Sequence, residues 1–246
     1  MIFILTGAGI SAESGIRTYR TDTGLWEEFR IEDVASGEGF RRDPKLVQKF
    51  YDDRFVAMSR AEPNAAHHAL TRLERAFPGE VIIVTQNIDD LHERAGSVNV
   101  VHIHGSISRT ICSGCGDELG SPGYLAIEPP CPGCGHLARP DITFFGEVPQ
   151  RMDEIEEAFL KADCFLCIGT SAEVHPAAGY IRRACNRKKV KKTVEFNINR
   201  TSASLRFGRL CRDPASISVP AWVDEYIRES CRKSGSPGLT TSFSHE

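Results

Sequence analysis

MIFILTGAGISAESGI, residues 1–16, runs from a short apolar stretch straight into a glycine turn. A continuous apolar run over 2–5 reads as a strand buried on both faces, the habit of parallel sheets. Gly7-Ala8-Gly9 follows at once, and a strand ending on a glycine turn is where a dinucleotide phosphate can approach backbone N–H groups. The dehydrogenase pattern GxGxxG is not met, because Ala12 stands at its sixth position.

Runs of the same kind lie at 81–85, 100–103, 165–168 and 193–198. Helix-like segments separate them, at 44–59, 64–76, 152–162, 176–186 and 221–231. Pro44, Pro63 and Pro176 fall near the starts of three of these, where proline is tolerated. Alternating strands and helices with doubly buried strands predict an α/β fold: a Rossmann-like, doubly wound parallel sheet. Two regions interrupt the alternation. Residues 28–63 form a polar helical insertion. Residues 108–140 are rich in Cys, Gly and Pro and too poor in core residues to fold without a staple. The large domain is therefore expected over 1–27, 64–107 and 141–233, with a Ser/Gly/Thr-rich flexible tail over 234–246.

The staple is visible in the spacing. Cys112-x-x-Cys115 and Cys131-x-x-Cys134, with fifteen residues between the pairs, match a four-cysteine zinc site. Gly114, Gly116, Gly133 and Gly135 supply the permissive backbone that metal knuckles need. Four thiolates make a closed site, so the one Zn²⁺ is expected to be structural. Cys164 and Cys167 also form a CxxC, but they sit in a strand-like run and read as core cysteines.

The bulk numbers exclude several classes. The chain has 246 residues, 41% hydrophobic and 26% charged, with a formal net charge of −3. Nothing there suggests nucleic-acid binding. The basic run 187–192 reads as a solvated turn. No apolar stretch approaches the roughly 18 residues of a membrane span. The apolar N-terminus lacks the basic flank and cleavage site of a signal peptide. Nine cysteines without secretory signals point to a reducing compartment. A cytoplasmic monomer is the expectation, and a longer native N-terminus carrying an organelle-targeting segment stays open.

Polar residues gather at the strand ends, where a parallel sheet opens its ligand crevice. Thr85-Gln86-Asn87-Ile88-Asp89 closes one run, and Val101-His102-Ile103-His104-Gly105 closes the next, just before the zinc module. Adding GAGISAESGI at 7–16, Arg20, FGE at 145–147, GTS at 169–171 and NIN at 197–199, the chain resembles the sirtuins, the NAD-dependent protein-lysine deacylases. The ordered matches run from Gly7 to about residue 220.

The resemblance implies a mechanism in which NAD is a co-substrate. The acyl-lysine carbonyl oxygen attacks the ribose carbon bearing nicotinamide, and nicotinamide leaves. A histidine then acts as general base on a ribose hydroxyl, which attacks the former carbonyl carbon. Water completes the reaction, giving free lysine and O-acyl-ADP-ribose. The matching histidine is His104, whose imidazole suits proton transfer near neutral pH; His102 alternates to the other face and reads as structural. By the same resemblance Gln86, Asn87, Ile88 and Asp89 would meet the nicotinamide end and its ribose, with Asn87 catalytic beside His104 by ordering the ribose and water, and Asp89 helping to hold the carboxamide. Gly7, Ala8, Gly9 and Ser11 would cradle the pyrophosphate, with Arg20 closing over it. Gly169, Thr170 and Ser171 would continue the crevice, Asn197 and Asn199 would reach the adenosine ribose, and Ala215 would lie near adenine. Acylated-lysine proteins or peptides would add as a strand between Phe145, Gly146 and Glu147 on one side and Val174 on the other.

Tyr51 and Arg54 are three apart on the expected helix 44–59 and so share a face. They resemble the Tyr-x-x-Arg pair of sirtuins that prefer succinyl- and malonyl-lysine, and Ala35 matches a small residue that leaves room for a longer acyl chain. A guanidinium pairs well with a distal carboxylate. Plain deacetylation is the rival acyl preference; protein ADP-ribosyl transfer and NAD hydrolysis are the rival chemistries. The chain departs from the family pattern at Tyr19, where phenylalanine is usual, and in Leu210–Pro214, which lacks a glycine before the expected adenine contact.

Overall fold

The computed structural model describes residues 1–18, 29–120 and 130–234. Tyr19, Arg20 and the tail from residue 235 lie outside the described residues. Eight strands occur among the described residues: β1 (Ile2–Thr6), β2 (Val81–Thr85), β3 (Val100–His102), β4 (Gly105–Cys112), β5 (Ala138–Ile142), β6 (Cys164–Ile168), β7 (Lys192–Phe196) and β8 (Arg209–Cys211). The helices are α1 (Ile31–Val34), α2 (Gly37–Arg42), α3 (Pro44–Arg60), α4 (Ala65–Ala76), α5 (Leu91–Arg94), α6 (Met152–Lys161), α7 (Ala177–Asn186) and α8 (Ala215–Ser234).

Six strands form one parallel sheet in the order β3-β2-β1-β6-β7-β8. The chain builds outward from β1 to β3, then crosses back to β6 and builds the other way. The switch point therefore lies between β1 and β6, and in such sheets the crevice opens at the carboxyl ends of those strands. Alternate residues of each strand face opposite layers. Ile2, Ile4, Ile83 and Leu166 pack with Leu70 and Leu73 of α4 and Val219 and Trp222 of α8. Phe3, Leu5, Val84 and Phe165 pack with Ile155 and Phe159 of α6 and Tyr180 and Ile181 of α7. Cys164 and Cys167 are buried in these two layers, as expected of core cysteines.

β4 and β5 pair antiparallel as a separate two-stranded ribbon. A third core joins this ribbon to the helical insertion: Val34, Phe40, Val47, Phe50 and Tyr51 pack with Ile107, Ile142 and Phe144. The helical insertion and the strands that bracket the Cys- and Gly-rich interruption thus share one apolar cluster. No helix among the described residues is long and apolar enough to cross a membrane.

Helix starts follow their local chemistry. Pro44 opens α3, and Asp43 accepts from the Leu46 N–H at 3.0 Å. At α4 the Asn64 side chain accepts from the Ala66 N–H, while His67 Nδ1 accepts from the Asn64 N–H at 3.2 Å. One expected boundary moves: a helix over 221–231 instead runs from Ala215 and contains Pro220. Proline lacks the N–H that would complete the ladder there. The start is secured from outside, because Glu13 accepts from both the backbone N–H and the hydroxyl of Ser216, at 3.0 and 2.6 Å. The strand expected over 193–198 ends at Phe196, where Asn197 turns out of the sheet.

Candidate active site

At the switch point two glycine turns touch backbone to backbone. The Gly9 N–H donates to the Gly169 carbonyl at 2.8 Å, and the Gly7 N–H to the Ile168 carbonyl at 3.0 Å. A Cβ on Gly9 would sit 2.6 Å from Gly169 Cα, so no side chain fits. Above this floor lies a cavity of about 310 Å³. Its wall takes Gly7, Ala8 and Gly9 from the β1 end, Gln86, Asn87 and Ile88 from the β2 end, and Gly169, Thr170 and Ser171 from the β6 end. His104 and Asn197 complete that half.

His104 follows β3 and is held by its ring. Its partner is the Gln86 carbonyl, 3.0 Å from Nδ1. A carbonyl only accepts, so Nδ1 carries the proton and neutral His104 keeps Nε2 as a base. Burial lowers its pKa below the usual 6.5, with the Gln86 hydrogen bond opposing. Gly105, at φ +78°, turns the chain into β4 so tightly that a Cβ there would meet the Asp141 carbonyl at 2.0 Å. His102 is anchored in parallel. Its Nδ1 lies 2.9 Å from the Asn87 carbonyl and its Nε2 2.8 Å from Glu93. Burial works to lower the His102 pKa, and Glu93 more than offsets it, leaving it raised. Two histidines thus hold successive carbonyls of the 85–89 segment.

Ser11 and Asp89 stand behind the wall. Ser11 Oγ donates to Asp89 Oδ2 at 3.0 Å and accepts from Asn87 Nδ2 at 3.1 Å. Burial pushes the Asp89 carboxyl up to about 6. For a general base at His104, whose base form is neutral, the acid limb of kcat/KM is expected below pH 6.5. An acid limb above pH 7 in a pH–rate profile would contradict the burial argument.

The other half of the cavity lies toward the helical insertion and the FGE turn. Ala35, Tyr51, Phe145, Gly146, Glu147 and Val174 line it. The Phe145 N–H donates to the Ala35 carbonyl at 2.9 Å, tying the FGE turn to the helical insertion. The Glu147 carboxylate is occupied by a bidentate pair with Arg139, at 2.8 and 2.9 Å, and by the Phe144 N–H. Arg54 lies outside the wall. Its Nη1 donates to the Phe50 carbonyl at 2.6 Å, and its guanidinium sits 3.5 Å from the Phe50 ring centroid.

Five expected nucleotide contacts are off the wall or undescribed, Ser11 and Asp89 among them. Asn199 is exposed, Ala215 is buried at the start of α8, and Arg20 lies outside the described residues. The cavity also takes His175, within the loop 174–176 expected to flank the peptide, and Thr18, Ile142, Thr143, Phe144 and Pro149, which sequence reasoning missed. Phe144 adjoins the FGE turn, so adjacency was its only signal. The Thr143 hydroxyl is buried without a hydrogen-bond partner among the described residues.

Cys112, Cys115, Cys131 and Cys134 converge with all four sulfurs within 4.8 Å of one another. The Cys112–Cys134 and Cys115–Cys131 sulfurs are 3.3 and 3.7 Å apart. Tetrahedral zinc–thiolate bonds place sulfurs about 3.8 Å apart. The Gly114 and Cys115 N–H groups point at Cys112 Sγ, as at a knuckle. The donor set fits one structural zinc ion.

A half-buried histidine over a glycine floor, at the switch point of a doubly wound sheet, makes a crevice of the kind that dinucleotide-binding folds use. Known proteins narrow the class. The Sir2 family profile matches residues 7–176. An NAD-dependent protein deacylase of Bdellovibrio bacteriovorus is 48% identical over 230 residues, covering 92% of this chain and 96% of that protein. One from Escherichia coli K12 is 47% identical over 231 residues, covering 92% and 82%. Among solved structures, a Sir2 homologue mutant in complex with ADP-ribose superposes with a TM-score of 0.84 at 35% identity, covering 94% and 93%. A Sir2 homologue in complex with NAD gives 0.81 at 35%, covering 93% and 90%. This chain belongs to the Sir2 family.

Proposed function

We propose that this chain removes succinyl and malonyl groups from protein lysines. The coarser statement stands on family membership: it is an NAD-dependent protein deacylase, with acylated lysine as substrate and NAD as co-substrate.

Within that activity the residues divide the work. Gly7, Ala8 and Gly9 offer backbone to the pyrophosphate, with Ser11 beneath them and Arg20 closing over it. Gln86, Asn87, Ile88 and Asp89 receive the nicotinamide ribose. Gly169, Thr170 and Ser171 continue the wall toward Asn197 and Asn199 at the adenosine ribose, with Ala215 toward adenine. Phe145, Gly146, Glu147 and Val174 flank the peptide, and Glu147 acts by holding its turn rather than by offering its charge. His104 Nε2 takes the ribose hydroxyl proton.

The observation that carries the acyl preference is the placement of Tyr51 and Ala35 in the cavity wall, with Arg54 one turn further along α3. Arg54 is 9% exposed and set among aromatic faces, a setting in which a guanidinium pairs strongly with a carboxylate. Meeting an acidic acyl group requires the guanidinium to turn from that carbonyl toward the cavity.

The test is NAD-dependent turnover of one peptide carrying acetyl-, succinyl- or malonyl-lysine, followed by mass. Arg54→Met is expected to lower desuccinylation about a hundredfold while deacetylation changes only a few-fold. Equal losses would make Arg54 a packing residue and leave plain deacetylation. Release of free ADP-ribose without acyl-lysine would favour NAD hydrolysis instead.

A further inference from the structure

We propose that Glu195 and Arg212 are a positioning pair that shapes the adenosine end of the crevice, so that affinity for NAD depends on two residues outside the cavity wall. This rests on the reading of 197–199 as the adenosine segment.

Glu195 is the penultimate residue of β7 and is 1% exposed. A carboxylate so deep in a parallel strand is costly unless fully paired. Its partners all come from the chain beyond the strand. Thr201 Oγ1 donates to Oε1 at 2.5 Å, Ser204 Oγ donates to Oε2 at 2.6 Å, and Arg212 Nη1 lies 2.8 Å from Oε2. The carboxylate therefore gathers both ends of the excursion between β7 and α8.

Arg212 carries that anchoring to the crevice. The same Nη1 donates to the Asn197 carbonyl at 2.9 Å and to the Asn199 carbonyl at 3.2 Å, clamping the backbone on either side of Ile198. The Asn197 side chain in turn donates to the Thr170 carbonyl at 2.7 Å, at the cavity wall. Arg212 Nη2 is buried and makes no hydrogen bond among the described residues, so the clamp depends on the Nη1 contacts. Without Glu195 the guanidinium loses its counter-charge, and the 30% of the side chain already exposed marks its way out to water. Both carbonyls would then be released together.

The probe is ADP-ribose, titrated calorimetrically into the whole protein, beside steady-state kinetics. Glu195→Gln and Arg212→Met are each expected to weaken ADP-ribose about tenfold and to raise KM for NAD in step. The kcat at saturating NAD and the KM for acyl peptide should stay within about twofold. The double variant Glu195→Gln/Arg212→Met separates positioning from bulk stability. Removing one partner strands a charge, and removing both relieves it. Melting temperature should recover in the double variant while ADP-ribose affinity stays low, because nothing is left to hold the carbonyls. Recovery of affinity together with stability, or parent-like binding in the single variants, overturns the proposal. Asn197→Ala separates the two levels. If it weakens ADP-ribose and the pair variants do not, the pair has no positioning role. If it too binds like the parent, the adenosine reading of 197–199 is what fails. Where the charged variants do not fold, Thr201→Val removes one donor to the same carboxylate without stranding a charge. A loss of about threefold in ADP-ribose affinity is then expected, and no loss counts against the pair.

Discussion

His104→Ala is expected to lower deacylation kcat about a thousandfold while the protein keeps its melting temperature and its affinity for acyl peptide. The magnitude is that of a well-placed general base. His104 has the placement: Nδ1 is committed to the Gln86 carbonyl, Nε2 is left basic, and burial keeps the ring neutral. It contributes little to packing, since the turn it sits on is fixed by Gly105 and by the Thr143 N–H, which donates to the His104 carbonyl at 2.9 Å. The order of steps sharpens the test. In the proposed mechanism nicotinamide departs before the ribose hydroxyl gives up its proton, so exchange of labelled nicotinamide into NAD should fall less than formation of O-acyl-ADP-ribose. An equal fall in both would place His104 earlier in the reaction. A variant that turns over normally would remove it from the chemistry.

The second large effect concerns stability. Cys131→Ser should lose one equivalent of zinc and lower the melting temperature by about 10 °C, with activity falling in parallel. Around the metal the chain is mostly exposed; of the four cysteines only Cys112 and Cys131 are buried. Among the described residues no apolar cluster is centred there to replace a lost ion. Cys112 and Ala138 close one end of the β4–β5 ribbon, and Gly105 and Ile142 close the other, one residue from His104. Fraying that starts at the metal therefore runs toward the base. A chelator added to the parent protein should reproduce both losses, and re-addition of Zn²⁺ should reverse them. A zinc-free variant with unchanged melting and activity would show that the ribbon stands on its own.

Sequence reading found the parts of the molecule whose physics is local. The strands β1, β2 and β6 are short apolar runs buried along their whole length, and β3 and β7 keep enough apolar residues to be read beside them. The polar residues at their ends mark the crevice for the same reason. The ribbon escaped notice because β4 (GSISRTIC) carries serines, threonine and arginine and shifts register between Ser106 and Thr110, so it shows no clean alternation. β8 was missed because Arg209 and Leu210 are exposed at a sheet edge. The start of α8 was placed after Pro220 because its external cap, Glu13, is two hundred residues away in the chain. Side-chain direction was the least legible feature. The three-residue spacing of Tyr51 and Arg54 is correct for a shared face, yet only Tyr51 lines the cavity, because the Phe50 carbonyl and ring hold the guanidinium behind it.

The backbone contact between the two glycine turns also sets where this crevice can be re-engineered. A side chain at Gly7 would meet Thr170 at 2.9 Å, and one at Gly9 or Gly169 would strike main chain at 2.6 or 2.4 Å. Directed evolution toward bulkier dinucleotide analogues has no purchase on that floor, because no substitution there leaves it standing. New room has to be cut from the far half of the cavity, at side chains such as Phe145 and Val174 that take no part in the contact between the turns.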